Sequence, residues 1–145
     1  MFKTILVPTD GSPQSDKAID AAVEFARQVG GSIVALSVAE PWPFSPFSES
    51  LIMEQSDLFE DNAMEIAKAS VQKVASAARA ANVPCETVVT SSGTPHSEIL
   101  SVAANMKCDV IFMASHGRKG ISRLFVGSET QKVLADATLP VLVIR

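Results

Sequence analysis

The sequence has few cysteines, few positive charges and no long apolar run. Its two cysteines, Cys85 and Cys108, stand far apart and form neither a disulfide framework nor a metal-ligand pattern, so the reducing cytoplasm is the expected compartment. Twelve lysines and arginines against 16 acidic residues give a net charge of −4, which disfavours a general nucleic-acid surface. Nowhere do about 18 apolar residues follow one another, so we expect no membrane-spanning helix and no membrane partner.

What is present is typical of a globular domain. Hydrophobic residues make up 47% of the 145 positions and charged residues 19%. A chain of this length is the usual size of one domain and can bury a core without disulfides. We therefore expect residues 1–145 to form a single domain.

Short apolar runs alternate with amphipathic segments along the chain. Runs of this kind are typical of strands buried on both faces of a parallel sheet. Strands are predicted at residues 5–7, 33–38, 110–114 and 141–144, and a further one at 86–89, which makes five. Helices are predicted from a Ser12 cap to Val29, from about 51 to 81, from Thr94 onward, and from 128 to 136. The alternation predicts an α/β fold: a single doubly wound five-stranded parallel sheet with helices on both faces, flavodoxin- or Rossmann-like, with strand order 3-2-1-4-5.

An aromatic loop follows the second strand. Residues 41–50 contain three prolines, which exclude regular structure, together with Trp42, Phe44 and Phe47. Exposed aromatic side chains are costly unless something covers them. The loop is predicted to be a flap over the site or a contact for an unidentified protein partner; packing onto the chain's own sheet is the alternative.

Other prominent residues receive ordinary structural roles. The helical stripe from Phe59 to Ala81 is predicted to be core rather than a partner groove. Cys85 and Cys108 are expected to be inert apolar packing, and His96 is expected at the surface. His116 lies in a candidate loop, but no Ser-His-Asp order accompanies it, so its backbone matters more than its ring. No dedicated catalytic base is evident, so a fast enzyme is not expected.

The first candidate site lies where the first strand ends, at Pro8-Thr9-Asp10-Gly11-Ser12. A carboxylate at the end of a parallel strand can accept hydrogen bonds from a ribose or hold a metal beside phosphates. An Asx-turn leading into the first helix explains Asp10 equally well. If strands one and four are neighbours, the end of the fourth strand, Met113-Ala114-Ser115, lines the same crevice.

Two further segments have features of anion sites. Gly117 and Gly120 flank Arg118 and Lys119, and glycine-rich loops let backbone amides approach an anion; a solvated turn is the alternative. Gly127-Ser128-Glu129 opens the last helix, whose free N–H groups suit a phosphate. The alternative there is a capping box formed by Ser128 and Gln131. A bulky residue at Gly127 is expected to remove phosphate binding and leave the fold mostly intact.

These segments together resemble the universal stress proteins. The resemblance covers Ile-Leu-Val-Pro-Thr-Asp-Gly-Ser at 5–12, Gly93-x-Pro95 with Ile99, and Ala137-x-x-Pro140-Val-Leu-Val-Ile at the end. The nucleotide-binding branch of that family carries Gly, two residues, Gly, nine residues, then Gly-Ser or Gly-Thr. Gly117 and Gly127-Ser128 match this spacing, whereas position 114 is alanine instead of glycine.

The resemblance implies a site for ATP or another adenine nucleotide such as ADP or AMP, accompanied by Mg²⁺ or Mn²⁺ with Asp10 as the candidate metal ligand. Adenine and ribose would meet Pro8, Thr9, Asp10, Val38 and Met113, and the phosphates would meet Gly117, Gly127, Ser128 and the Glu129 amide, with Ala114 and Arg118 completing the site. A methyl group at position 114 is tolerated if its φ is negative and obstructs if φ is positive. The Glu129 carboxylate suits a helix N-terminus but repels a triphosphate, which favours a weaker site or one with a metal.

Two function classes follow. One is a cytosolic stress-response regulator that binds an adenine nucleotide at the carboxyl edge of the sheet, with at most a slow ATPase or autophosphorylating activity. The other is a homodimeric interaction module of the same fold that binds none. The resemblance also implies a homodimer, and the strand at 141–144 is its expected interface, because an apolar edge strand invites pairing with a second copy.

Overall fold

A parallel sheet runs through the centre of the chain. The computed structural model describes residues 1–41, 52–116 and 126–145, and of residues 52–56 the backbone alone. Its elements are β1 (Thr4–Pro8), α1 (Pro13–Val29), β2 (Ser32–Ala39), α2 (Ile52–Ala80), β3 (Cys85–Ser91), α3 (Pro95–Asn105), β4 (Val110–Ala114), α4 (Ser128–Asp136) and β5 (Val141–Ile144). The predicted order of elements is confirmed, with boundaries that move by no more than a few residues.

The strand order is β3-β2-β1-β4-β5 and every pairing is parallel, as predicted. β1 lies between β2 and β4, so its carboxyl end and that of β4 reach the same edge of the sheet. Ligands of doubly wound sheets bind at this edge, where the strand order reverses.

Side chains alternate between two hydrophobic cores, one on each face of the sheet. Ile5 and Val7 of β1 pack with α1 and α2 on one face. Leu6, between them, packs with α3 and α4 on the other. This alternation along a strand that is apolar throughout places two helices on each face, as the doubly wound arrangement requires.

The predicted ends of α1 are confirmed. Ser12 caps the helix, with its Oγ accepting from the Ser15 amide at 3.3 Å, and Pro13 opens the first turn. Gly30 ends the helix in the left-handed conformation at φ 62°, which a residue without a Cβ adopts at little cost.

The prediction that the whole stripe on α2 is core is wrong for its first half. Ser70 and Val74 are buried, but Phe59 and Ile66 are 39% and 38% exposed. α2 has 29 residues and is about 43 Å long, whereas the eight residues of β2 span about 26 Å. Because crossover helices run antiparallel to the strands, the amino-terminal half of α2 extends beyond the carboxyl edge of the sheet.

Two sequence-based expectations concern segments that lie largely outside the described residues. The aromatic loop, from Trp42 to residue 50, and the glycine-flanked segment that includes Gly117 and Arg118 both lie outside the described residues. Among the helices that are described, none is long and apolar enough to cross a bilayer.

Candidate functional site

A cleft of about 600 Å³ opens at the carboxyl edge of the sheet. Its walls come from the ends of β1, β2 and β4, the projecting half of α2, and the N-termini of α3 and α4. Nine of the predicted site residues line it together: Pro8, Thr9, Asp10, Val38, Met113, Ala114, Gly127, Ser128 and Glu129. Segments far apart in sequence therefore form one concave surface.

A tight turn after β1 forms the floor of the cleft. The Thr9 amide donates to the Leu36 carbonyl at 2.8 Å, and Thr9 Oγ1 lies 3.0 Å from Ser15 Oγ. The Ser12 amide donates to Asp10 Oδ1 at 2.9 Å, so the Asx-turn is formed. Asp10 shapes the entry into α1 and borders the cleft at the same time.

The N-terminus of α4 presents backbone donors to the cleft. The first intrahelical bond runs from the Gln131 amide to the Gly127 carbonyl at 3.0 Å. The amides of Ser128, Glu129 and Thr130 precede it and so have no acceptor within the helix. All three residues line the cleft, which gives it an end suited to an oxyanion.

The capping box that was the alternative at this terminus is not formed. Gly127 is the N-cap and has no side chain to offer, Ser128 is already the first helical residue, and the Gln131 side-chain amide donates to the Val126 carbonyl. Just before the helix, the Gly127 amide donates to the Ser115 carbonyl at 2.7 Å. A second bond, from Thr130 Oγ1 to the Ala114 carbonyl at 3.0 Å, fastens α4 to the end of β4.

Position 127 has little room for a side chain, because the backbone of Ser115 lies close to it. A Cβ there would stand 3.1 Å from the Ser115 carbonyl oxygen, which is closer than ordinary van der Waals contact. A side chain at position 127 would therefore require the junction of β4 and α4 to shift by a few tenths of an ångström, and the expectation that the fold stays mostly intact remains a prediction.

The alanine at position 114 fits its backbone. In the described part of the chain the non-glycine residues with positive φ are Phe2, Asn82 and Lys107. Ala114 is not among them and lies in the regular end of β4, so its methyl group introduces no backbone strain.

Glu129 joins the N-termini of α3 and α4. Its Oε2 accepts from the His96 amide at 3.0 Å and lies 3.3 Å from His96 Nδ1, and its Oε1 accepts from Lys132 Nζ at 2.9 Å. Burial alone would raise the pKa of Glu129, but the hydrogen bonds from Lys132 and His96 outweigh it and lower the pKa. The carboxylate is therefore ionised at neutral pH.

The expectation that His96 is simply a surface residue is wrong. Its side chain is only 20% exposed and contacts a residue 33 positions later. Packing of α3 against α4 creates this contact, and no local pattern in the sequence indicates it.

The charge of the cleft is negative in its described part. Three carboxylates line it, those of Asp10, Glu40 and Glu129, and no lysine or arginine is among the described lining residues. The cations at positions 118, 119 and 123 lie outside the described residues.

Sequence reasoning missed several wall residues, chiefly Ser37, Glu40, Phe59, Asn62 and Thr130. Ser37 could have been predicted, since a serine near the carboxyl end of an apolar strand is unusual in a core. The residues of α2 could not have been predicted, because the apolar stripe of a helix does not show where the sheet beneath it ends.

His116 also lines the cleft, with its Nδ1 3.0 Å from Ser115 Oγ. The expectation that its backbone matters more than its ring stays a prediction. Ser115 itself is buried beneath the junction with α4. Ser115 and His116 are therefore not an exposed nucleophile and base.

In the described part of the chain, the side chains alone do not form a metal site. There, no three His, Cys, Asp or Glu residues group closely enough to hold a cation. Asp10 alone is too few ligands for Mg²⁺, which is usually held by one or two carboxylates together with substrate phosphates and water.

The two cysteines lie away from the cleft and are half-buried. Cys85 packs against the core of α1 and α2, and Cys108 against that of α3 and α4. Burial raises the pKa of both thiols, that of Cys108 to about 11. These are properties of packing residues with little thiolate, as predicted.

Comparison with known proteins identifies, over the full length of the chain, the family that its sequence resembles. The model of the universal stress protein family matches residues 1–145. A universal stress protein of Thermus aquaticus is 34% identical, with all of both chains covered. The solved universal stress protein UspA of Lactobacillus plantarum is 27% identical, with 99% of this chain and 98% of that one covered at a TM-score of 0.82. A universal stress protein of Archaeoglobus fulgidus, solved in complex with dAMP, shares the fold at a TM-score of 0.71 and 20% identity, with both chains fully covered. Because the family model and a relative of 34% identity both match the full length, the chain belongs to the universal stress protein family.

Proposed function

We propose that this chain binds an adenine nucleotide in the cleft at the carboxyl edge and acts as a stress-response regulator of the nucleotide-binding branch of its family. One observation carries the proposal: three backbone amides without helical acceptors lie at one end of a cleft whose remaining wall is largely apolar. A nucleotide has the matching halves, an anionic phosphate and a flat apolar base.

The cleft has the size and chemistry that such a ligand needs. Small-molecule sites commonly enclose about 300–1,000 Å³, and this one encloses about 600 Å³. Val38, Met113 and Ile66 offer apolar surface for the base. Asp10, at the end of β1, offers a carboxylate to a ribose hydroxyl.

A divalent ion would enter with the phosphates. Asp10 is the residue that would contact it, as one carboxylate beside phosphate oxygens. Mg²⁺ or Mn²⁺ would there neutralise phosphate charge.

Calorimetry with AMP, ADP and ATP, each with and without Mg²⁺, tests the proposal. We expect saturable binding, and at about 100 times the dissociation constant the ligand should add about 2.7 kcal/mol to the free energy of unfolding. Ala63→Trp should block the cleft that Ala63 lines, whereas Ala69→Trp, on the exposed face of the same helix, should bind normally. No heat and no thermal shift with any nucleotide at millimolar concentration would exclude nucleotide binding.

The second candidate is an interaction module that binds no nucleotide. The observation that favours it is the acidic lining of the cleft in its described part, which includes the carboxylates of Asp10, Glu40 and Glu129. Acid extraction of the purified protein separates the two functions, because bound adenine nucleotide in the extract supports the first.

Two accompanying properties are also proposed. The free cysteines Cys85 and Cys108 fit a reducing compartment, which supports action in the cytoplasm. A homodimer through β5 is supported by its place at the sheet edge and by Leu142, which is 45% exposed.

A further inference from the structure

One buried hydroxyl at the cleft is unpaired among the described residues. Ser37, near the carboxyl end of β2, is 4% exposed and lines the cleft. Its hydroxyl makes no hydrogen bond with any residue that the structure describes, although buried polar groups are normally paired. The other buried polar residues of the described part each make a side-chain hydrogen bond: Thr9, Ser12, Ser15, Ser70, Ser115 and Thr130.

The backbone places Ser37 where β2 extends beyond β1. The Thr9 amide donates to the Leu36 carbonyl at 2.8 Å, after which the chain turns from β1 into α1 while β2 continues to Ala39. Because side chains alternate along a strand, Ser37 lies on the same face as Ala35, the face that α1 and α2 cover. From this side, α2 lines the cleft with Ala63, Ile66 and Ala67.

Ser37 lies across the cleft from the end that suits a phosphate. The N-terminus of α4 is bonded to the end of β4, and β1 separates β4 from β2. Neighbouring strands lie about 4.8 Å apart, so β2 is about 10 Å from β4. A nucleotide whose phosphate accepts from the α4 amides, and whose ribose lies over β1 beside Asp10, therefore places its base at the end of β2.

We infer that Ser37 is a specificity-determining residue for the base, and that its hydroxyl hydrogen-bonds a polar atom on the six-membered ring of adenine, which carries most of the polar atoms of this base. The inference rests on the proposed nucleotide site. The apolar side chains of Val38, Ile66 and Met113 can pack against any flat ring and do not distinguish its edges. A hydroxyl both donates and accepts, so Ser37 can pair with a ring nitrogen or with the amino group. A base that displaces water from this hydroxyl must replace the lost hydrogen bond to keep its affinity.

Calorimetry with AMP and with benzimidazole riboside 5′-monophosphate tests the inference. The second compound has the same sugar and phosphate, and a base of similar shape whose six-membered ring contains only carbon. The wild-type chain should bind AMP more tightly, by about threefold or more. Ser37→Ala should lower the affinity for AMP about three- to tenfold, the value of one neutral hydrogen bond, and change that for the benzimidazole nucleotide by less than about twofold.

Ser70→Ala is the matched control. Ser70 is 3% exposed, but its hydroxyl donates to the Ile66 carbonyl at 2.7 Å, and it is not among the described residues that line the cleft. This variant should bind both nucleotides as the wild type does. Thermal unfolding without ligand gives a second readout. Ser37→Ala breaks no hydrogen bond to a described residue and should not lower the melting temperature, whereas replacement of a serine with a purely structural role would lower it.

Equal binding of the two nucleotides by the wild type would overturn the inference. So would an unchanged affinity for AMP in Ser37→Ala, or an equal loss of affinity for both compounds. Each of these results leaves the nucleotide site standing. Failure of every nucleotide to bind the wild type would instead overturn the proposed function and the inference with it.

Discussion

Single residues in this chain have roles that their type alone does not reveal. Gly127 matches a glycine of the family's nucleotide-binding motif and lies beside the predicted phosphate site. Yet the atom nearest to a Cβ added at this position is the Ser115 carbonyl oxygen, 3.1 Å away. Ser128 has the right type for an N-cap but is the first helical residue. Both residues lie at the junction where the Gly127 amide donates to the Ser115 carbonyl. The two partners of this hydrogen bond are too far apart in sequence for a local pattern to reveal it.

Glycine substitutions measure this close approach. Gly127→Ala should lower the free energy of unfolding by about 1–3 kcal/mol, the usual cost of overpacking. Gly93→Ala is the control, since nothing lies within 4 Å of the added Cβ, and it should change stability by less than about 0.5 kcal/mol. Urea denaturation of both variants gives the comparison, and equal stability of the two would contradict this account of Gly127.

The elements were predictable where their pattern is local. Largely apolar runs indicated β1, β2, β4 and β5, and Ser12 and Gly30 indicated the ends of α1. The division of α2 was not predictable, because its stripe continues past the edge of the sheet that it covers. Val74 packs into the core, while Ile66, on the same stripe, lines the cleft.

Two substitutions on α2 separate packing from ligand binding. Val74→Ala should cost about 2 kcal/mol of stability, because it leaves a cavity in the core, with nucleotide affinity unchanged. Ile66→Gln, at a position that is 38% exposed, should cost less than about 1 kcal/mol but weaken nucleotide binding. Thermal unfolding and calorimetry on the same samples measure both effects, and a large loss of stability in Ile66→Gln would show that this part of α2 is core after all.

At the scale of the whole molecule, the sheet ends in two different edges. β3 forms one and β5, with four apolar residues, forms the other. Apolar character on an exposed edge is expected to favour association. Two-fold symmetry would pair β5 with its own copy.

Light scattering at micromolar concentration tests the dimer, which should have twice the 15.3 kDa mass of one chain. Leu142→Lys should give monomers, because paired edges would bring two like charges together. Leu134→Lys is matched in exposure, since both leucines are 45% exposed, but it lies on α4 and should leave the dimer intact. A wild-type mass of 15.3 kDa would exclude the proposed assembly.

The hydrogen bond between the Gly127 amide and the Ser115 carbonyl, 2.7 Å long, also has an entropic consequence. It fixes the two ends of the intervening segment close together, whatever that segment contains. Bringing two distant points of a chain together costs conformational entropy, which the contacts between β4 and α4, such as that of Thr130 Oγ1 with the Ala114 carbonyl, must offset. A substitution that weakens these contacts should therefore release both ends at once.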